Sequence, residues 1–167
     1  MKPSLSLLGL IHTVISVLPF VVGMFSLARH RTIDPRRRSG QVYLGGLLLS
    51  VVTSFGLSSS GGFNAGHALG ILALAAGFGS LLVPRLTPFG RLRPYLATFG
   101  LSFSFFLLMV PAINETLTRL PRARPLADGP QSPLVLASLL AWTVAFVLGF
   151  GLQVWDLRRR RQDAALR

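Results

Sequence analysis

The sequence contains no cysteine and few acidic residues, and each shortage excludes a class of function. Without cysteine there can be no disulfide, thiolate metal site, iron–sulfur cluster or c-type haem attachment. Only 5 Asp+Glu stand against 17 Lys+Arg, and charged residues make up 13% of the 167 residues. Soluble domains carry about a quarter charged residues, so the composition argues against a soluble domain.

Long apolar runs replace the missing charge. Hydrophobic residues form 51% of the sequence, and the mean hydropathy is +0.59. A transmembrane helix needs about 20 mainly apolar residues, and five such runs predict five transmembrane helices at approximately residues 5–28, 42–57, 63–83, 95–120 and 133–155. The predicted fold is therefore all-α: one polytopic membrane helix bundle over residues 1–167, in which residues 156–167 form a basic cytoplasmic tail.

The basic residues predict the orientation of this bundle. The formal net charge is +12, and 13 of the 17 basic residues lie after the first run, after the third run and in the C-terminal tail. Cytoplasmic loops of membrane proteins are enriched in Lys and Arg, so we expect the N-terminus outside and the C-terminus inside a bacterial inner membrane. Positive charge after the first run also favours a retained helix over a cleaved signal peptide. The arginine clusters predict contact with anionic lipids rather than nucleic acid.

Small residues predict which helices pack closely. The third run, residues 63–83, is rich in Gly and Ala, and small side chains let helix backbones approach each other within a membrane. We therefore expect the third helix to be the centre of the bundle. A second row of small residues lies on the predicted fifth helix: Ala137, Ala141, Ala145 and Gly149. This row would face either its own bundle or a second protein. The second alternative predicts a larger membrane complex or a homo-oligomer.

A few polar residues within or beside the predicted spans are the candidate functional residues. With the predicted orientation they lie near the outer face at similar depth, and an ionisable residue at such a position is a functional candidate by default. Each also has a structural interpretation, most directly an N-cap at the start of the third helix or an ion pair with a residue four positions later. The candidates are His12, Asn64, His67, Asn114 and Glu115.

Four functional interpretations follow from these residues. The first is a structural or accessory membrane protein that binds no cofactor. The second is a b-type haem held by His12 and His67, and the third is a divalent metal held by His12, His67 and Glu115. The fourth is a polar pocket for a quinone headgroup or another small ligand, or a proton-handling site. The sequence has no Walker loop and no HExxH motif, which favours a protein that is not an enzyme.

Several segments are similar to the DUF2306 family of bacterial multi-pass membrane proteins. They are His12 in the first span, the stretch Arg38-Ser39-Gly40-Gln41-Val42-Tyr43 after a basic loop, Phe63-Asn64-Ala65-Gly66-His67, and the segment 111–121. The resemblance covers most of the chain and implies a membrane location.

The chain departs from that family at two histidine positions. Members of the family often carry a histidine just before the Gly-x-x-Tyr element and another near the start of the fourth span. This sequence has Arg37 and Arg38 at the first place and Arg93-Pro94 at the second. A two-haem arrangement with four histidines, like that of cytochrome b561, therefore cannot form, because the spans contain only His12 and His67.

Overall fold

A computed structural model describes residues 7–57, 62–121 and 123–166 of the chain. These residues form α-helices and short 3₁₀ segments and contain no strand, so the predicted all-α fold is confirmed. Two 3₁₀ segments, Val83–Arg85 and Thr87–Leu92, connect the third and fourth helices. The α-helices are α1 (Leu7–His30), α2 (Arg38–Phe55), α3 (Ala65–Leu82), α4 (Arg93–Arg119) and α5 (Pro133–Ala165).

Four of the helical segments in the described part of the chain are long and apolar enough to cross a membrane. They are Leu7–His30, Ala65–Arg85, Thr87–Arg119 and Pro133–Ala165. The helix α2 is not among them, since its 18 residues include Arg38 and Gln41 in the first turn. Four of the five predicted spans thus correspond to helices that are long and apolar enough to cross a membrane. A crossing by the second predicted span, residues 42–57, stays a prediction.

The helices α1 and α2 run antiparallel with a constant register. Four residues of α1 each contact a residue of α2. As the residue number rises along α1, the number of its partner on α2 falls by nearly the same amount, so the sum of the two numbers is 65 or 66 in every pair. Over 11 residues at about 1.5 Å per residue, α2 therefore follows α1 for about 16 Å. The pairs are His12 with Thr53, Ser16 with Ser50, Pro19 with Gly46, and Gly23 with Tyr43.

The central helix is α4 and not α3, so the prediction from the small residues was wrong. The buried residues of α3 form one stripe, His67, Ala73, Gly77 and Ser80, because only that side of the helix meets α2 and α4. Several other small residues of α3 are exposed: Ala65, Gly66, Ala68 and Ala75. In contrast, α4 meets all four other helices. Its Phe105 stacks on Phe20 of α1, and its Ser104 hydroxyl forms a hydrogen bond with Tyr43 of α2. Its Gly100 lies close to Ala76 of α3, and its Phe106 carbonyl accepts a hydrogen bond from Trp142 of α5.

The helix α5 packs against α4 and extends past the predicted end of the last span. Its aromatic residues interleave with those of α4, and it continues beyond Trp155 to Ala165 instead of ending there. At 33 residues it is about 50 Å long, which exceeds the hydrocarbon core of about 30 Å. The small residues Ala137, Ala141 and Ala145 are exposed, so this row does not face the protein's own bundle.

Candidate functional site

The side chain of His12 connects α1 to α2. Its Nδ1 lies 2.8 Å from Thr53 Oγ1, and its Nε2 lies 3.3 Å from Ser16 Oγ. The Thr53 hydroxyl donates its own hydrogen to the Leu49 carbonyl at 2.8 Å, so it accepts from His12 Nδ1. With its hydrogen on Nδ1, His12 can accept at Nε2 from the Ser16 hydroxyl. The Ser50 hydroxyl, 2.7 Å from Ser16 Oγ, completes the chain of hydrogen bonds.

The side chain of His67 caps α3 and reaches α2. Asn64 is the N-cap of α3: its Oδ1 accepts from the His67 backbone N–H at 3.1 Å, while His67 Nδ1 accepts from the Asn64 backbone N–H at 3.3 Å. The N-cap role predicted for Asn64 is confirmed. His67 Nε2–H then donates to the Ser54 carbonyl at 3.1 Å, and the ring stacks on Phe55 with 4.5 Å between ring centroids.

The two histidines thus meet α2 at adjacent residues, Thr53 and Ser54. One approaches from α1 and the other from α3, and the C-terminal end of α2 lies between them. All four ring nitrogens take part in hydrogen bonds within the described residues. The arrangement is well suited to holding three helix ends together in a medium that offers no water to unpaired backbone groups.

The other two candidates lie on α4 and do not join the histidines in a single cluster. Glu115 pairs with Arg119 at an exposed position, as its spacing predicted. Phe105 of α4 stacks on Phe20 of α1, so these two residues lie at the same depth. Asn114 lies nine residues after Phe105, and His12 lies eight residues before Phe20. Asn114 is therefore at about the level of His12, and its Oδ1 is buried with no hydrogen-bond partner among the described residues.

The structure does not assemble the predicted metal ligands. Within residues 7–57, 62–121 and 123–166, no three His, Cys, Asp or Glu side chains lie together in a group that could hold a metal ion. Glu115 is directed to Arg119, while His12 and His67 are bonded to α2. A haem iron needs an imidazole lone pair directed at it, and the ring nitrogens of both residues are directed at protein groups instead: His12 at Thr53 and Ser16, and His67 at Asn64 and Ser54. As arranged here, the two histidines do not fit a haem.

A second polar region lies at the opposite end of the bundle, and the sequence did not reveal it. A cavity of about 540 Å³ opens between the α1–α2 connection, the end of α3, the start of α4 and the last part of α5. Four arginines line it: Arg31, Arg36, Arg85 and Arg160. The arginine clusters were the available signal, but they predicted only the orientation and contact with anionic lipids, not a cavity.

The fold and these two regions describe an all-helical bundle in which four helical segments are long and apolar enough to cross a membrane, with a polar layer at one end and a basic cavity at the other. No protein-family model matches the chain, and neither a curated protein nor a solved structure is significantly similar to it. The resemblance to the DUF2306 family therefore stays a prediction.

Replacing Thr53 with valine should destabilise the α1–α2 pair. The change keeps the side-chain shape, removes the acceptor of His12 Nδ1–H, and should cost about 1 kcal/mol, since hydrogen bonds between membrane helices average about 0.6 kcal/mol and reach about 1.7. Thermal unfolding in detergent measures the loss. Thr13→Val is the matched control, because the Thr13 hydroxyl bonds only to the Gly9 carbonyl of its own helix. Equal melting temperatures for the two variants would contradict this role of Thr53.

Proposed function

We propose that the chain is a non-enzymatic accessory protein of the bacterial inner membrane, in which the polar layer is structural. The observation that carries the proposal is the use of every ring nitrogen of His12 and His67 in hydrogen bonds that tie α1 and α3 to α2. A cofactor ligand or a proton carrier needs at least one ring nitrogen directed at a ligand or at water. The exposed ion pair of Glu115 is consistent with the same structural role.

The orientation we propose has the N-terminus outside and the C-terminus in the cytoplasm, with all five helices crossing. The antiparallel register of α2 on α1 supports a crossing by α2, because α2 lies at the same depth as α1 from Thr53 to Tyr43. The arginines of the α1–α2 connection and of the end of α5 then lie on the cytoplasmic side, as the distribution of basic residues requires. A larger membrane complex is the partner we propose, and the exposed faces of α1 and α5 are available for it.

A spectrum and a migration assay test the proposal together. The gently solubilised protein, expressed with haem supplied, should give a flat reduced-minus-oxidised absorption spectrum. In native gels of solubilised membranes the tagged chain should migrate in an assembly much larger than its 18.1 kDa. His67→Ala and His12→Ala should lower the melting temperature, because each removes two ring-nitrogen hydrogen bonds.

Two results would overturn the proposal. A sharp haem spectrum that disappears in His12→Ala or His67→Ala would establish the redox alternative in place of the structural role. A divalent metal that remains bound at one equivalent, and is lost in Glu115→Ala, would establish the metal alternative. Glu115→Ala also serves as a control for stability, since its exposed ion pair should contribute less than about 1 kcal/mol.

A further inference from the structure

The cavity at the basic end combines cationic and apolar walls. Its volume is about 540 Å³, and it is bounded by residues of α1, α3, α4, α5 and the α1–α2 connection. Partly exposed apolar residues lie among the lining residues together with the arginines: Leu81, Ala97 and Leu157. Such a mixture matches a ligand that has a charged group joined to an apolar part.

The acidic residues of the cavity are already engaged, so its arginines carry uncompensated positive charge. Asp34 accepts from the backbone N–H of Arg36 at 2.9 Å and pairs with Arg37. Asp156 pairs with Arg160 at 2.8 Å. The arrangement leaves three lining arginines whose guanidinium groups have neither an ion pair nor a hydrogen bond among the described residues; they are Arg31, Arg36 and Arg85.

The wall that carries Arg31 and Arg36 is held in a fixed shape. Arg31 has φ = 59°, a left-handed conformation that non-glycine residues adopt infrequently. Its carbonyl accepts from Gln153 Nε2 at 2.8 Å, which attaches the end of α1 to α5. Ile33 is 1% exposed and anchors the connection in the core. A preorganised wall reduces the entropy lost when a ligand binds.

Two aromatic residues mark the depth of the cavity in the membrane. Arg159 lies over the Trp155 ring at 4.9 Å, and Arg161 lies over the Tyr95 ring at 5.2 Å. Trp and Tyr concentrate at the level of lipid headgroups. Both are next to residues that line the cavity: Tyr95 follows Pro94 in the first turn of α4, and Trp155 precedes Asp156 within α5. The cavity is therefore at headgroup level.

We propose that this cavity binds the phosphate group of an anionic phospholipid, with the lipid's apolar part against Leu81 and Leu157, which are partly exposed. Arg36 contacts the phosphate from the α1–α2 connection, and Arg85 contacts it from the 3₁₀ segment that follows α3. Guanidinium groups suit this task because they can donate two parallel hydrogen bonds to phosphate oxygens. The proposal concerns a different end of the molecule from the polar layer, so it does not depend on the accessory role.

Binding of phosphatidylglycerol to the purified full-length protein in detergent tests the proposal. We expect saturable binding by native mass spectrometry and a rise in melting temperature with phosphatidylglycerol, and neither effect with phosphatidylcholine. Arg36→Gln and Arg85→Gln should each weaken binding about fivefold, because a basic residue near an anionic lipid contributes about that factor. Both side chains are exposed and have no hydrogen-bond or ion-pair partner in the part of the chain that the structure describes, so both variants should fold.

The control variant is Arg158→Gln, which removes the same charge from the same end of the protein at an exposed residue that does not line the cavity. It should leave phosphatidylglycerol binding within twofold of the unmodified protein. A loss as large as that of Arg36→Gln, or equal binding of phosphatidylcholine, would overturn the proposal by indicating unspecific attraction to the basic surface.

Inorganic phosphate distinguishes the two sources of the same chemistry. If the cavity binds a lipid, phosphate at millimolar concentration should neither raise the melting temperature nor displace phosphatidylglycerol. If phosphate alone stabilises the protein, and Arg36→Gln and Arg85→Gln abolish that effect, the site binds a free phosphate group and the lipid assignment is refuted.

Discussion

Replacing Gly40 with alanine should prevent stable packing of the α1–α2 connection onto α2. Gly40 is buried in the first turn of α2, and a Cβ atom at this position would overlap the backbone carbonyl of Asp34. Backbone cannot rotate away as a flexible side chain can. Overpacking typically costs about 1–3 kcal/mol and occasionally more, and we expect about 3 kcal/mol or more here, measured as a large fall in melting temperature and in the yield of folded protein.

Gly45→Ala is the matched control on the same helix. A Cβ atom at Gly45 would have no neighbour within 4 Å, and alanine favours a helix over glycine by about 1 kcal/mol. The melting temperature of Gly45→Ala should therefore be equal to or above that of the unmodified protein. A Gly40→Ala protein as stable as Gly45→Ala would contradict the close contact between the connection and α2.

Replacing Gln153 with leucine should loosen α5 from the bundle. Gln153 is 8% exposed; its Oε1 accepts from the Ser102 hydroxyl at 2.8 Å, and its Nε2 donates to the Arg31 carbonyl. Leucine has a similar size but leaves both partners unpaired in a buried place. An unsatisfied buried group costs about 1–3 kcal/mol, so we expect a loss of about 2 kcal/mol in stability and faster protease cleavage within α5.

Thr143→Val provides the comparison for this experiment. The Thr143 hydroxyl is exposed and bonds only to the Leu139 carbonyl of α5 itself, so its removal should change stability by less than about 0.5 kcal/mol. If Gln153→Leu were as stable as Thr143→Val, the attachment of α5 would depend on its aromatic contacts with α4 rather than on Gln153.

The features that the sequence predicted are those that depend on near neighbours in the chain. Apolar runs of sufficient length predicted helices that are long enough to cross a membrane. Asn64, predicted as an N-cap, marked the start of α3. The four-residue spacing of Glu115 and Arg119 gave their ion pair. Each of these needs only a few consecutive residues, and the physical rules for such spans are well determined.

The features that the sequence did not predict depend on residues far apart in the chain. Small residues occur around much of α3, so composition could not indicate which stripe would be buried, and the central position of α4 was missed. His12 and His67 were predicted at similar depth, but nothing indicated that each would bond to α2 instead of a shared ligand. The cavity combines residues from Arg31 to Arg160, so only the assembled helices define it.

The central position of α4 also sets the order in which the bundle can assemble during synthesis. Tyr43 of α2 bonds to Ser104 of α4 at 2.8 Å, across 61 residues of chain. At about 5–20 residues per second, Tyr43 is synthesised roughly 3–12 s before Ser104. During that interval the bonds of His12 and Ser16 to α2 need no later segment. The helices α1 and α2 can therefore form a paired hairpin before α4 is synthesised, and α4 completes the core when it packs against them.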